Sequence, residues 1–284
     1  MIFAILRRND GLPAGRIWLG SVVKNLQSAL VEARQPVSVD GHFGSGTENA
    51  VKAFQAEQGL DASGIVDKPT WTALDGLLQR SVGSRQRELK SFLNDFEGDL
   101  EWVHEQEGHR GTAYWPGGKS GVTLDPGVDL GHIDWTVAER FYADLFTGDQ
   151  AIAVRRVLGL KGKDAEAALN ADPILRSIRI SNKNAERIMP LAAQSYWKRI
   201  AARFSSLTTE TLPSVQTVFL SLAYNRGSDN DDLDQLHGPL ESHDWSALAD
   251  TVGAMQQTHE APGIPIRRRA EASLIRAELE YVNS

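Results

Sequence analysis

Glu107, Thr123 and Asp129, with Asp125 between the last two, are the residues of this chain whose types and spacing best support chemistry. On a helix, Leu100, Val103 and Glu107 lie within about 60° of one another by the 3.6-residue repeat, while Glu105 points well away. Glu107 is therefore expected to lean on apolar surface at the end of a helix that Gly108 stops. Apolar surroundings disfavour the charged form of a carboxyl. An acid still protonated near neutral pH can donate to a departing oxygen, as glycoside cleavage requires. Spacing alone fits a boundary glutamate at a helix end at least as well.

The segment from Tyr114 to His132 supplies the other half of such chemistry. Val122 and Leu124 face one way on a strand, and Thr123 and Asp125 the other. Pro126-Gly127 signals a turn. Val128 and Leu130 then share a face, with Asp129 opposed. Two short strands of this kind put apolar faces on a core and polar faces toward a cleft. There Thr123 and an aspartate could hold and activate a water opposite Glu107. An exposed hairpin with merely solvated acids is the competing reading. Tyr114 and Trp115 could stack on sugar rings, or pack in a core.

The elements that must position these residues are mostly helical. Residues 20–78 read as a compact unit in which Val22, Leu26, Ala29 and Leu30 recur at helical spacing, as do Ala50, Phe54 and Gln58, and Trp71, Leu74 and Leu78. A short repeat lies between them: Asp40-Gly-His-Phe-Gly-Ser-Gly-Thr47 is echoed by Ser63-Gly-Ile-Val-Asp-Lys-Pro-Thr70, a glycine turn leading into a capped helix. Residues 81–94 are polar with small breakers and read as a linker or the start of a helix. Helices are expected over 136–158, 181–204 (capped by Ser181 and kinked at Pro190), 213–226 and 265–282, with a small hairpin within 111–131.

Composition narrows the partners. The net charge is −7, and the excess falls in residues 81–284, because residues 1–80 carry eight basic and eight acidic side chains. Nucleic acid is an unsuitable partner, since its binding needs a positive field. With no cysteine, disulfides and thiolate metal sites are excluded. The seven histidines show no His-Glu-x-x-His or similar cluster, so no metal or other cofactor is expected. No apolar run reaches membrane-spanning length, and the N-terminus lacks the charge order of a secretory signal, so synthesis in the cytoplasm is expected.

The set Leu26-Gln27, Asp40-Gly41, Phe43-Gly44, Thr47, Ala50-Val51, Phe54-Gln55, Gly59-Leu60, Gly64 and Thr70-Trp71 resembles the three-helix peptidoglycan-binding domain found at the ends of many cell-wall hydrolases. Downstream, Glu107-Gly108, Tyr114, Ser120-Gly-Val-Thr123 and Gly127-Val-Asp129-Leu-Gly131 are similar to the catalytic hairpin of phage-type lysozymes, nearest the pesticin-like branch. In that branch a Glu is followed by a Thr and, six residues later, an Asp, a spacing that Thr123 and Asp129 keep. The resemblance implies Glu107 as acid, Asp129 as base or charge stabiliser and Thr123 as the water-positioning group. It implies substrate contacts at Tyr114, Trp115, His132 and Asn225. Two departures matter: Pro116 stands where the commoner phage pattern has an acid or Cys, and Leu124-Asp125-Pro126 replaces Ile-Gly-aromatic, so Asp125 could share or take the role of Asp129. Ser221-Leu-Ala-Tyr-Asn225-Arg-Gly227 and Gly263-Ile-Pro-Ile-Arg267-Arg-Arg-Ala-Glu271 look like the helical segments that brace such a cleft.

The resemblance as a whole implies a mainly α chain: a peptidoglycan-binding domain over 1–80 using Asp40, Phe43, Thr47, Phe54, Gln55 and Trp71, a linker over 81–94, and an α+β lysozyme-like domain over 95–284. It implies a monomeric endolysin that cleaves between N-acetylmuramic acid and N-acetylglucosamine in the periplasm after release by a holin. A lytic transglycosylase on the same fold, and a cell-wall-binding protein without activity, are the alternatives.

Overall fold

The computed structural model describes the backbone of residues 1–284 and the side chains of all but residues 84–87 and 90. It is mainly helical. In chain order the helices are α1 Gly20–Glu32, α2 Ser45–Glu57, α3 Lys68–Ser81, α4 Gly83–Phe92, α5 Leu100–Glu107, α6 Trp135–Tyr142, α7 Gly148–Val157, α8 Gly162–Ala171, α9 Pro173–Ser177, α10 Asn182–Arg203, α11 Pro213–Arg226, α12 His237–Glu241, α13 Trp245–Ala254 and α14 Gly263–Val282. Strands β1 Thr123–Leu124 and β2 Val128–Asp129 form an antiparallel pair. The chain divides into two compact units, one of Met1–Val103 with Tyr196–Ser284, the other of His104–Ser195. That division does not follow the expected boundaries at 80 and 94, because the C-terminal helices group with the N-terminal module.

In the first unit, α1, α2 and α3 pack around Val22, Leu26, Leu30, Phe43, Val51, Phe54, Trp71, Leu74 and Leu78, all buried. The repeat seen in the sequence is wired by two buried amides. Gln27 Nε2 donates to Asp40 Oδ1 (2.8 Å), the His42 carbonyl (3.1 Å) and Thr47 Oγ1 (3.1 Å), while its Oε1 accepts from the N–H of Asp40 (2.9 Å) and Gly41 (2.8 Å). Gln55 repeats the pattern, donating to the Ile65 carbonyl (2.7 Å) and Thr70 Oγ1 (3.0 Å) and accepting from Gly64 N–H (2.9 Å). Each amide fastens a glycine turn to the threonine of the following helix. The buried polar atoms of Gln27, Thr47, Gln55 and Thr70 are thereby satisfied within their own repeat.

The apolar N-terminal run lies extended, with Ile2, Ala4 and Leu6 buried in alternation and Leu6 bridged to Val66. Trp71 Nε1 donates to the Ala4 carbonyl (2.8 Å). Phe3 stacks on Tyr281 of α14, ring centroids 5.5 Å apart. The segment 81–94, expected as a linker or the start of a helix, is helical over Gly83–Phe92; the side chains of residues 84–87 and 90 within it lie outside the described residues. Helix α11 is buried continuously from Ser214 to Ala223, as a helix surrounded by others must be. It meets α14 through buried charge: Glu271 Oε1 accepts from Ser221 Oγ (2.5 Å) and Arg268 Nη2 (2.8 Å), and Arg267 Nε lies 3.4 Å from it.

In the second unit the helix expected over 136–158 is two helices. The break covers residues 143–147, and at its end Thr147 and Gln150 form a reciprocal capping box that starts α7 afresh. Helices α8 and α9 were not foreseen; Asp172-Pro173 caps and opens α9. Helix α10 runs through Pro190 without a break, and Ser181 Oγ accepts the N–H of Asn184 (3.2 Å) at its start.

Candidate functional site

Glu107 is the last residue of α5, half-buried, and Gly108 follows with φ +70°, a left-handed conformation that ends a helix at little steric cost in glycine. Glu105 on the same helix is exposed. His104, buried one turn earlier, sets its Nε2 3.2 Å from Asn182 Oδ1 and so ties α5 to the start of α10.

The strands place the remaining residues in a row. Thr123 pairs with Asp129 across β1 and β2, and on its other side exchanges two backbone hydrogen bonds with Tyr114: Tyr114 N–H to the Thr123 carbonyl (3.0 Å) and Thr123 N–H to the Tyr114 carbonyl (2.7 Å). Directly opposed residues of antiparallel strands share a face. Tyr114, held by an isolated bridge, Thr123 and Asp129 therefore stand side by side, while Val122, Leu124 and Leu130 are buried. Thr123 is 3% exposed and its Oγ1 donates to the Gly121 carbonyl (3.3 Å).

Asp129 is held by backbone. Its Oδ1 accepts from the N–H of Gly121 (2.9 Å) and Gly131 (2.8 Å), and Oδ2 lies 3.1 Å from the same Gly121 nitrogen. This clip requires glycine on both sides. A Cβ at Gly121 would sit 2.4 Å from the Gly131 nitrogen and 2.5 Å from Asp129 Oδ1, and one at Gly131 would sit 2.7 Å from the Leu160 carbonyl oxygen. His132 is exposed, its Nε2 3.8 Å from Asp129 Oδ2.

Asp125 sits elsewhere in the site. It lies in the turn between the strands and is 2% exposed. Its Oδ2 accepts from the N–H of Arg110 (3.0 Å) and Gly111 (2.5 Å) and lies 2.9 Å from His109 Nδ1, while its carbonyl accepts from the buried Tyr142 hydroxyl (2.9 Å).

Electrostatics at Tyr114 tie the row to the helix end. Burial pushes the phenol above its ordinary value; the Arg110 guanidinium opposes this, and Asp125, Glu107 and Asp129 push it further up. Arg110 lies over the Tyr114 ring at 4.2 Å. Trp115 is committed to its own loop, donating from Nε1 to the Ser120 carbonyl (3.0 Å) with Lys163 over its ring at 4.9 Å. Among the described residues no group of three His, Asp or Glu side chains could hold a metal ion.

The structure therefore brings Glu107, Tyr114, Thr123, Asp125 and Asp129 into one locality of the second unit, with Trp115 and His132 on its strands and loop. Asn225 belongs to the first unit, where Arg268 Nη2 donates to its Oδ1 at 3.4 Å. Sequence reasoning missed His109 and the two glycines that clasp Asp129. The glycines carried a signal in their placement on either side of the Thr123–Asp129 pair, whereas His109 carried none. In the N-terminal module, Phe43, Thr47, Phe54, Gln55 and Trp71 are buried framework, and Asp40 is exposed. Burial works to raise the Asp40 carboxyl, but hydrogen bonds from His42 N–H and Gln27, with the nearby His42 charge, hold it below its ordinary value.

Residues 20–74 match the family described as "Putative peptidoglycan binding domain". The N-terminal module is a peptidoglycan-binding domain. Among curated proteins none matches the chain. Among solved structures, the crystal structure of the Burkholderia AP3 phage endolysin aligns over 97% of this chain and 99% of that chain, at 18% identity and a TM-score of 0.22, a likeness too loose to carry an argument. Among the described residues no helix is long and apolar enough to cross a membrane.

Proposed function

We propose that the chain is a peptidoglycan hydrolase, an endolysin that cleaves the bond between N-acetylmuramic acid and N-acetylglucosamine with Glu107 as general acid. The observation that carries this reading is geometric: Thr123 stands between Tyr114 and Asp129, and residues 109–111, just beyond Glu107, are bonded to Asp125 in the turn of the same strand pair, in a chain that also bears a peptidoglycan-binding domain. Glycoside hydrolysis needs one acid to protonate the leaving oxygen and a second carboxylate to activate water or stabilise charge. In this reading Glu107 gives its proton to the departing sugar oxygen. Asp129, fixed by two backbone N–H groups, receives a proton from the attacking water, and the Thr123 hydroxyl oxygen accepts a hydrogen bond that aligns that water. Tyr114, Trp115 and His132 contact the sugar chain. The binding domain keeps the enzyme on a polymeric substrate and so raises its local concentration. Monomeric action in the periplasm after cytoplasmic synthesis and holin-dependent release belongs to the same proposal.

Full-length Glu107→Gln tests it. The variant is expected to sediment with purified sacculi as wild type does while hydrolysis falls by roughly 10²–10⁴-fold, the usual contribution of a general acid. Unchanged release of reducing ends would remove Glu107 from the role.

The backbone contacts of Asp129 favour one second reading, since a carboxylate already employed in holding the hairpin need not also activate water. A lytic transglycosylase uses the acid alone. Reducing-end muramic acid among the products supports hydrolysis, and 1,6-anhydromuramic acid supports the transglycosylase.

A further inference from the structure

We propose that Asp125 and His109 form a positioning clip that fixes the orientation of Glu107; this rests on the reading of Glu107 as the acid. Glu107 ends α5, so the chain just beyond it helps to fix the backbone from which its side chain projects. Gly108 is left-handed and imposes no side-chain contact of its own, and no heavy atom lies within 4 Å of where its Cβ would be. The next three residues all converge on a single oxygen. His109 Nδ1 at 2.9 Å, Arg110 N–H at 3.0 Å and Gly111 N–H at 2.5 Å meet Asp125 Oδ2.

The oxygen itself is immobilised. Asp125 is buried in the turn between β1 and β2, and its carbonyl takes the Tyr142 hydroxyl of α6 at 2.9 Å. The loop is held on its far side as well, where Ile180 N–H donates to the Gly111 carbonyl (3.0 Å) and Thr112 bridges to Arg179. The end of α5 is thus joined to the strand pair that carries Thr123 and Asp129 through one carboxylate. A charged acceptor makes stronger hydrogen bonds than a neutral one, which suits a joint that must hold catalytic groups to within fractions of an ångström. In this arrangement Asp125 acts through Glu107 and is not the second acid.

His109 gives the cleaner experiment, because its side chain is 30% exposed and its removal leaves no sealed cavity. Steady-state kinetics on purified peptidoglycan with the full chain, beside thermal melts, should show His109→Ala lowering kcat about tenfold with KM within about twofold of wild type, within the range that small misplacements produce. His109→Gln, which keeps a donor, is expected to recover part of the loss. Asp125→Asn is expected to lower kcat, and adding His109→Ala to it should cost little more, the non-additivity of two groups acting as one. Wild-type kcat in His109→Ala, or losses that multiply in the double variant, would overturn the clip. So would Asp125→Asn matching Asp129→Asn in activity while His109→Ala stays normal, which assigns Asp125 to the chemistry. If Asp125→Asn does not fold, the comparison of His109→Ala with His109→Gln decides. An active Glu107→Gln defeats the underlying assignment of the acid, whereas an inactive Glu107→Gln beside a fully active His109→Ala defeats the clip alone.

Discussion

Carboxylates that accept backbone N–H groups lose their freedom to rotate, and both aspartates of the hairpin are held this way by different strands of chain. Asp129 is gripped by Gly121 and Gly131, Asp125 by the loop after α5. They are four positions apart in sequence, yet Asp129 stands in the row with Thr123 and Tyr114, while Asp125 is sealed in the turn. The grip on Asp129 is steric as well as polar, since neither glycine has room for a Cβ. Gly121→Ala is therefore expected to push Asp129 out of line. Hydrolysis of purified peptidoglycan should fall by roughly 10²-fold, the order that misplacement near reacting atoms produces, while the variant still sediments with sacculi. Full activity in Gly121→Ala would mean that the position of Asp129 is not critical.

Among the elements, those with a local cause were legible in the sequence. Helices α11 and α14 fall where apolar spacing and Pro213 put them, and the strand pair falls where Val122, Leu124, Val128 and Leu130 alternate around Pro126-Gly127. The helix expected over 136–158 broke because a capping box at Thr147 and Gln150 outweighed a continuous apolar stripe. Helices α8 and α12 were invisible because they are short and rest on packing more than on pattern. At the site, the pairing of Thr123 with Asp129 was readable from alternation, but the convergence of 109–111 on Asp125 was not, because it depends on chain segments that meet only after folding. The repeat of the binding domain was readable as glycine turns, although its buried amides were not recognised as the fasteners. Truncating either amide strands several buried partners at once. Gln27→Ala and Gln55→Ala should each cost about 1–3 kcal/mol per group left unsatisfied, measurable as a lower denaturation midpoint, with Gln27→Ala the worse because five contacts depend on it against three for Gln55. Equal midpoints for both variants and wild type would exclude this role.

On the scale of the whole molecule, the first unit encloses two buried glutamates that should answer substitution in opposite ways. Burial raises Glu278, against hydrogen bonds from Ser214 and the attraction of the amino terminus. Burial likewise raises Glu271, against Arg268 and Arg267. A carboxyl raised in the folded state contributes stability that is fully present below its unfolded value and is lost as pH rises through the folded one. Glu278→Gln keeps an acceptor for Ser214 N–H and removes the charge. It should melt above wild type at pH 7, with the advantage shrinking toward pH 4, and an advantage that grows in acid would contradict this account. Glu271→Gln takes the carboxylate from between two guanidiniums, and breaking a buried ion pair costs about 3–5 kcal/mol. A neutral melt for Glu271→Gln would show that the arginines hold α11 and α14 together without it.

The doubled fastening of the binding domain offers a further use. Gly41 and Gly64 each give their amide proton to the glutamine of their own copy, so each proton exchanges with solvent only when that copy opens. The two protons are built-in gauges, one per half of the domain, and readable by NMR without any label on the ligand. When a wall fragment seats on the module, the half that grips it should slow its glycine first, which would map the wall-facing surface onto one copy or the other.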